Sequence, residues 1–122
     1  MNRPIVVIDD HPEHLEFIVT LLRRAGFSAQ GFASARRALD FIARSNTALV
    51  VTDVFMPELD GFEVMQIIRR DYPGIAVIGI GGSRKSYGAS LLKAMGELGA
   101  AAIFEKPIDP VSLIAEVRCL LE

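Results

Sequence analysis

Short apolar runs alternate with longer stretches in which apolar residues recur every three or four positions, and the alternation repeats five times along the chain. Residues 5–9, 28–32, 48–52, 76–80 and 101–104 predict β-strands, and residues 12–25, 35–44, 62–71, about 88–98 and 110–121 predict α-helices. Several helix ends carry their own signals. Ser34 is placed to cap the second helix, and Asp109 followed by Pro110 stands in the N-cap and N1 order that opens the fifth. Gly26 and Gly99 are placed to close the first and fourth.

The first, third and fourth strands are apolar on both faces, whereas a half-exposed antiparallel strand alternates with polar residues. Such strands belong in a parallel sheet covered by helices on both sides. The fold class expected is therefore α/β, a doubly wound (βα)5 five-stranded parallel sheet in the order 2-1-3-4-5. The direction of winding reverses between strands one and three, so any ligand is expected at the carboxyl ends of those strands. A chain of 122 residues is filled by one such module, and residues 1–122 are expected to form a single domain.

Composition narrows the picture further. Apolar residues make up 51% of the chain, which favours a packed core over disorder. Runs such as Ile5 to Ile8 are far shorter than the roughly 20 residues needed to span a bilayer, and no signal-peptide pattern opens the chain. A soluble, cytoplasmic protein is expected. The net charge of −2 supplies no general attraction to nucleic acid or anionic lipid, and the pairs Arg23-Arg24, Arg36-Arg37 and Arg69-Arg70 read as solvated helix faces. The one cysteine, Cys119, is expected to act as a buried or half-buried hydrophobe.

The candidate chemistry lies at the switch point. Asp9 and Asp10 end the first predicted strand and Asp53 follows the third, so three carboxylates converge where such sheets bind ligands. Their mutual repulsion calls for a cation, and hard oxygen donors with room for water suit Mg2+ or Mn2+. Lys106 follows the fifth strand and adds an ammonium at the same edge, a partner for a phosphoryl oxygen.

Three ordered stretches, residues 5–10 (Ile-Val-Val-Ile-Asp-Asp), 53–61 (Asp-Val-Phe-Met-Pro-Glu-Leu-Asp-Gly) and 105–107 (Glu-Lys-Pro), resemble the signatures of response-regulator receiver domains of two-component signalling, and the resemblance covers essentially the whole chain. It implies a flavodoxin-like sheet with Asp53 as phosphoacceptor. It further implies that Asp9, Asp10, Asp53 and the backbone carbonyl of Phe55 hold Mg2+ or Mn2+, while Lys106 contacts the phosphoryl group. Met56, Pro57, Asp60 and Gly61 would shape the turn into the third helix. The implied partners are a histidine kinase or histidine phosphotransfer protein and a downstream protein or fused output domain, with no direct nucleic-acid or membrane contact. Apart from its own phosphorylation and dephosphorylation, no enzymatic activity is implied.

The chain departs from that family at its switch. Gly81 stands where most members carry a strand-four Ser or Thr, and Ile103 stands where an aromatic precedes the strand-five lysine. Phosphorylation is expected to reorganise chiefly the loop of residues 81–88, with Ser83, Arg84 or Lys85 as candidate phosphoryl contacts and little change at Ile103, and Phe104 is expected to face away from Ile103. The alternative reading is a receiver-like interaction module with phosphorylation-independent output. A flavodoxin-like cofactor carrier fits the fold, but residues 10–13, Asp-His-Pro-Glu, lack the Gly-rich phosphate loop such a protein needs.

Overall fold

The structure is a computed structural model that describes residues 3–82 and 87–122, with side chains described for 3–82 and 90–122. Ser83, Arg84 and Lys85 therefore lie outside the described residues. The elements run β1 (Ile5–Ile8), α1 (Pro12–Arg24), β2 (Ala29–Phe32), α2 (Ala35–Ala43), β3 (Leu49–Asp53), α3 (Gly61–Asp71), β4 (Ala76–Gly81), α4 (Tyr87–Leu98), β5 (Ala102–Glu105) and α5 (Pro110–Leu121). The expected boundaries hold to within a residue. All five strands pair in parallel, in the order β2-β1-β3-β4-β5.

Two-residue alternation divides the core between the sheet faces. Ile5 and Val7 of β1, Leu49 and Val51 of β3, and Ile78 and Ile80 of β4 pack with Ile18 and Leu22 of α1 and with Leu113 and Val117 of α5. The intervening Val6, Ile8, Val50 and Val77 pack with Ala38 and Ile42 of α2, Val64, Met65 and Ile68 of α3, and Leu92 and Met95 of α4. Burial on both faces is why these strands read as unbroken apolar runs.

The connections explain how the strand ends are aimed. Ser34 accepts from the Arg37 amide at 3.3 Å and caps α2 as expected. Gly26 and Gly99 adopt positive φ, 98° and 112°, which only glycine takes without strain. Asp109 and Pro110 open α5 in the expected N-cap and N1 order, with the Asp109 carboxylate accepting from the Ser112 hydroxyl at 2.6 Å rather than from the helix backbone. Cys119 is a correction, because it lies on the exposed face of α5, opposite the stripe of Leu113 and Val117. The three arginine pairs are solvent-exposed as expected.

Candidate functional site

Register places the site. Ile8 pairs with Thr52, so Asp9 and Asp53 are the next residues along neighbouring strands. Asp9 continues the series Ile5, Val7; Asp53 continues Leu49, Val51; and Lys106 continues Ala102, Phe104. All three thus leave the sheet on the same side, the side covered by α1 and α5. The amide of Lys106 donates to the Gly81 carbonyl at 2.7 Å, which fixes where the lysine departs from β5.

Lys106 Nζ lies 3.2 Å from Asp53 Oδ1 and 3.9 Å from Asp9 Oδ2. Asp9 is fully buried and Asp53 is 4% exposed, so the pair depends on protein neighbours rather than on water. Asp9 accepts from the His11 amide at 2.9 Å through Oδ1, while Oδ2 pairs with His14 Nδ1. The Asp53 carboxyl has its pKa raised, first by burial and then by the charge of Asp9; the ammonium of Lys106 and the Val54 amide oppose the shift without cancelling it.

The chain from Asp53 into α3 is held tightly. The Val54 amide donates to the Ile80 carbonyl at 2.9 Å, and the Gly61 amide donates to the Val54 carbonyl at 2.7 Å. A Cβ on Gly61 would stand 2.6 Å from the Asp53 carbonyl oxygen and 2.9 Å from Val54 Cα, so only glycine fits there. Asp60 and Glu63 form a reciprocal capping box at the start of α3. The structural role read for Asp60 and Gly61 is borne out.

The residues fit a divalent cation. One donor atom from each of Asp9, Asp10, His11 and Asp53 lies within 4.8 Å of the others. Asp10 Oδ1 is buried without a hydrogen-bond partner, the condition of an oxygen prepared for an ion or a water on it. Three carboxylates against one ammonium also leave the cluster short of positive charge. Phe55 is 63% exposed and lines a hollow of about 480 Å3 with Asp10, His11, Met56 and Pro57.

The chain matches the model of the response regulator receiver domain over residues 5–118. It belongs to the response regulator receiver domain family. The receiver is 33% identical to the regulatory protein VanRc of Enterococcus gallinarum, over 99% of this chain and 51% of that protein. It is 35% identical to the transcriptional regulatory protein FixJ of Azorhizobium caulinodans, over 97% of this chain and 54% of that one. The receiver thus spans about half the length of these curated relatives. A receiver domain protein from Clostridium thermocellum superimposes with a TM-score of 0.89 at 25% identity, over 98% of this chain and 94% of that chain. The acidic cluster of this receiver fits phosphorylation and divalent-cation binding. Among its described residues no helix is long and apolar enough to cross a membrane.

The receiver's departures have a structural counterpart. Gly81 and Gly79 face α4, not Asp53: a Cβ on Gly81 would meet Leu92 Cδ2 at 2.9 Å, and one on Gly79 would meet Met95 Cε at 3.0 Å. Ile103 pairs with Gly79 across the sheet, is 43% exposed, and lies near Gly96 of α4, while Phe104 packs on the opposite face. Two neighbours of the carboxylates went unread in the sequence, His11 beside Asp9 and Asp10 and His14 beside Asp9. His14 had a usable signal, since it shares the i, i+4, i+8 stripe of α1 with buried Ile18 and Leu22, where an imidazole needs a partner.

Proposed function

We propose that Asp53 accepts a phosphoryl group from a phosphohistidine on a histidine kinase or histidine phosphotransfer protein, with Asp9, Asp10, Asp53 and the Phe55 carbonyl holding Mg2+ or Mn2+. The observation that carries this reading is the convergence of Asp9, Asp53 and Lys106 on one side of adjacent strands beside the unpartnered Asp10 Oδ1. An Asp53 carboxylate oxygen attacks the phosphorus in line; the P–N bond breaks as the P–O bond forms, and the departing imidazole keeps the electron pair and takes a proton. Lys106, already 3.2 Å from Asp53, pairs with a phosphoryl oxygen as charge builds there. A bound divalent cation would offset the remaining negative charge of carboxylates and phosphoryl oxygens. Hydrolysis of the acyl phosphate resets the receiver, which has no other enzymatic activity in this reading.

The downstream partner is a separate protein or a fused output domain. The packing of Leu92 on Gly81 favours an output that does not pass through a strand-four hydroxyl, with the described part of that route, Gly81 and Ile103, lying against α4. Incubation with acetyl phosphate and Mg2+, followed by intact-mass measurement, tests the acceptor. One phosphoryl adduct is expected, lost in Asp53→Asn and without added metal; an undiminished adduct in that variant would refute the assignment.

A further inference from the structure

The carboxylates at the switch point do not stand alone. His11 Nδ1 lies 3.4 Å from both Asp9 Oδ1 and Asp10 Oδ1, and it completes the set of four mutually close donors. Neither approach uses up the Asp10 oxygen, since Asp10 Oδ1 still lacks a hydrogen bond. Metal–donor distances of about 2.0–2.2 Å put opposite donors of an octahedral ion roughly 4–4.4 Å apart, so small side-chain rotations would bring this set around one ion. The imidazole is free to make that rotation: its side chain is 67% exposed, and its backbone is held in place by the amide bond to Asp9 and by Pro12 opening α1.

We propose that His11 contributes a nitrogen donor to the cation site, so that this receiver favours first-row transition-metal ions that accept imidazole over Mg2+ more strongly than its oxygen donors alone would. The inference rests on the reading of Asp9, Asp10 and Asp53 as that site. Its physical basis is ligand softness. Mg2+ is hard, keeps its waters and gains little from imidazole, whereas Co2+, Ni2+ and Zn2+ bind imidazole well. His14 has a different part, because its Nδ1 is already committed to Asp9 Oδ2. It acts as a positioning residue that holds the Asp9 carboxylate toward the cluster.

Titration of the full chain with Co2+, followed by its visible absorption, and displacement of that Co2+ by Mg2+ give the affinity ratio directly. In His11→Ala the Co2+ affinity is expected to fall at least about tenfold, the loss seen even for groups one shell removed from a metal. Mg2+ affinity is expected to fall much less, so the Co2+/Mg2+ ratio drops. Circular dichroism checks that the variants fold. An unchanged ratio in His11→Ala, or a drop found in His14→Gln in its place, overturns the proposal while leaving the carboxylate site intact. Asp10→Asn separates the two levels: it should weaken both ions. If neither ion responds to Asp10→Asn, or neither binds the wild-type chain, the cation-site reading fails and the His11 proposal with it.

Discussion

Leu92 of α4 rests directly on Gly81 at the end of β4, with its Cδ2 2.9 Å and its Cβ 3.2 Å from where a Cβ on that glycine would stand. Leu92 is itself 4% exposed, so it has little space into which to retreat. Gly81→Thr, which restores the residue type usual in this family, is therefore expected to destabilise the fold by about 1–3 kcal/mol through overpacking. Combining it with Leu92→Ala should cost less than the sum of the two single changes, because the smaller residue opens the space the threonine needs. Urea denaturation of the four proteins checks this; strictly additive costs would show that Leu92 does not guard the position.

Gly61 predicts a comparable loss that reaches the reaction as well. The atoms a Cβ would strike, the Asp53 carbonyl oxygen and Val54 Cα, are backbone and cannot swing aside. Gly61→Ala should cost about 1–3 kcal/mol and slow phosphorylation as well, since the displaced strand end carries Asp53. Denaturation midpoints and acetyl phosphate kinetics measure the two effects. Asp60→Ala, which removes the capping box, should cost about 1 kcal/mol with a smaller effect on the reaction.

Asp53 links stability to pH. Folding raises its pKa, so the native state holds the proton more readily than the unfolded chain does. That contribution is fully present below the ordinary carboxylate range and is lost as pH rises through the raised, folded value. In metal-free buffer Asp53→Asn is therefore expected to be more stable than the wild type at neutral pH, with the advantage vanishing in acid, where both side chains are neutral. Denaturation across pH in the presence of a chelator gives the test, and a variant less stable than wild type at neutral pH would count against it.

Lys106 opposes that shift through its charge and its hydrogen bond. Lys106→Met should therefore raise the Asp53 pKa further, as followed by carboxyl carbon shifts during an NMR titration. The same change should slow phosphorylation by acetyl phosphate by about a hundredfold or more, the usual consequence of removing one preorganised partner of a developing charge. A rate close to wild type would place Lys106 outside the reaction.

Much of this was legible in the sequence because it depends on local periodicity and on chain direction. Two-residue alternation within buried strands, helical spacing between them and the handedness of parallel crossovers dictate the order 2-1-3-4-5 and bring Asp9, Asp10, Asp53 and Lys106 to one edge. Ser34, Gly26 and Gly99 also act within a turn of where they stand, so their roles followed from residue type alone.

What tertiary structure decided involves side chains that meet across elements. The seating of Leu92 on Gly81 depends on how closely α4 approaches β4, a distance set by Gly79 and Gly81 together with Met95. The exposure of Cys119 depends on which face α5 turns to the sheet. The pairing of His14 with Asp9 and the approach of His11 to Asp9 and Asp10 depend on the angle at which α1 leaves β1. Sequence spacing determines which residues share a face. It does not determine how near that face comes to its neighbour, because that separation is set by the packing of all the side chains between them.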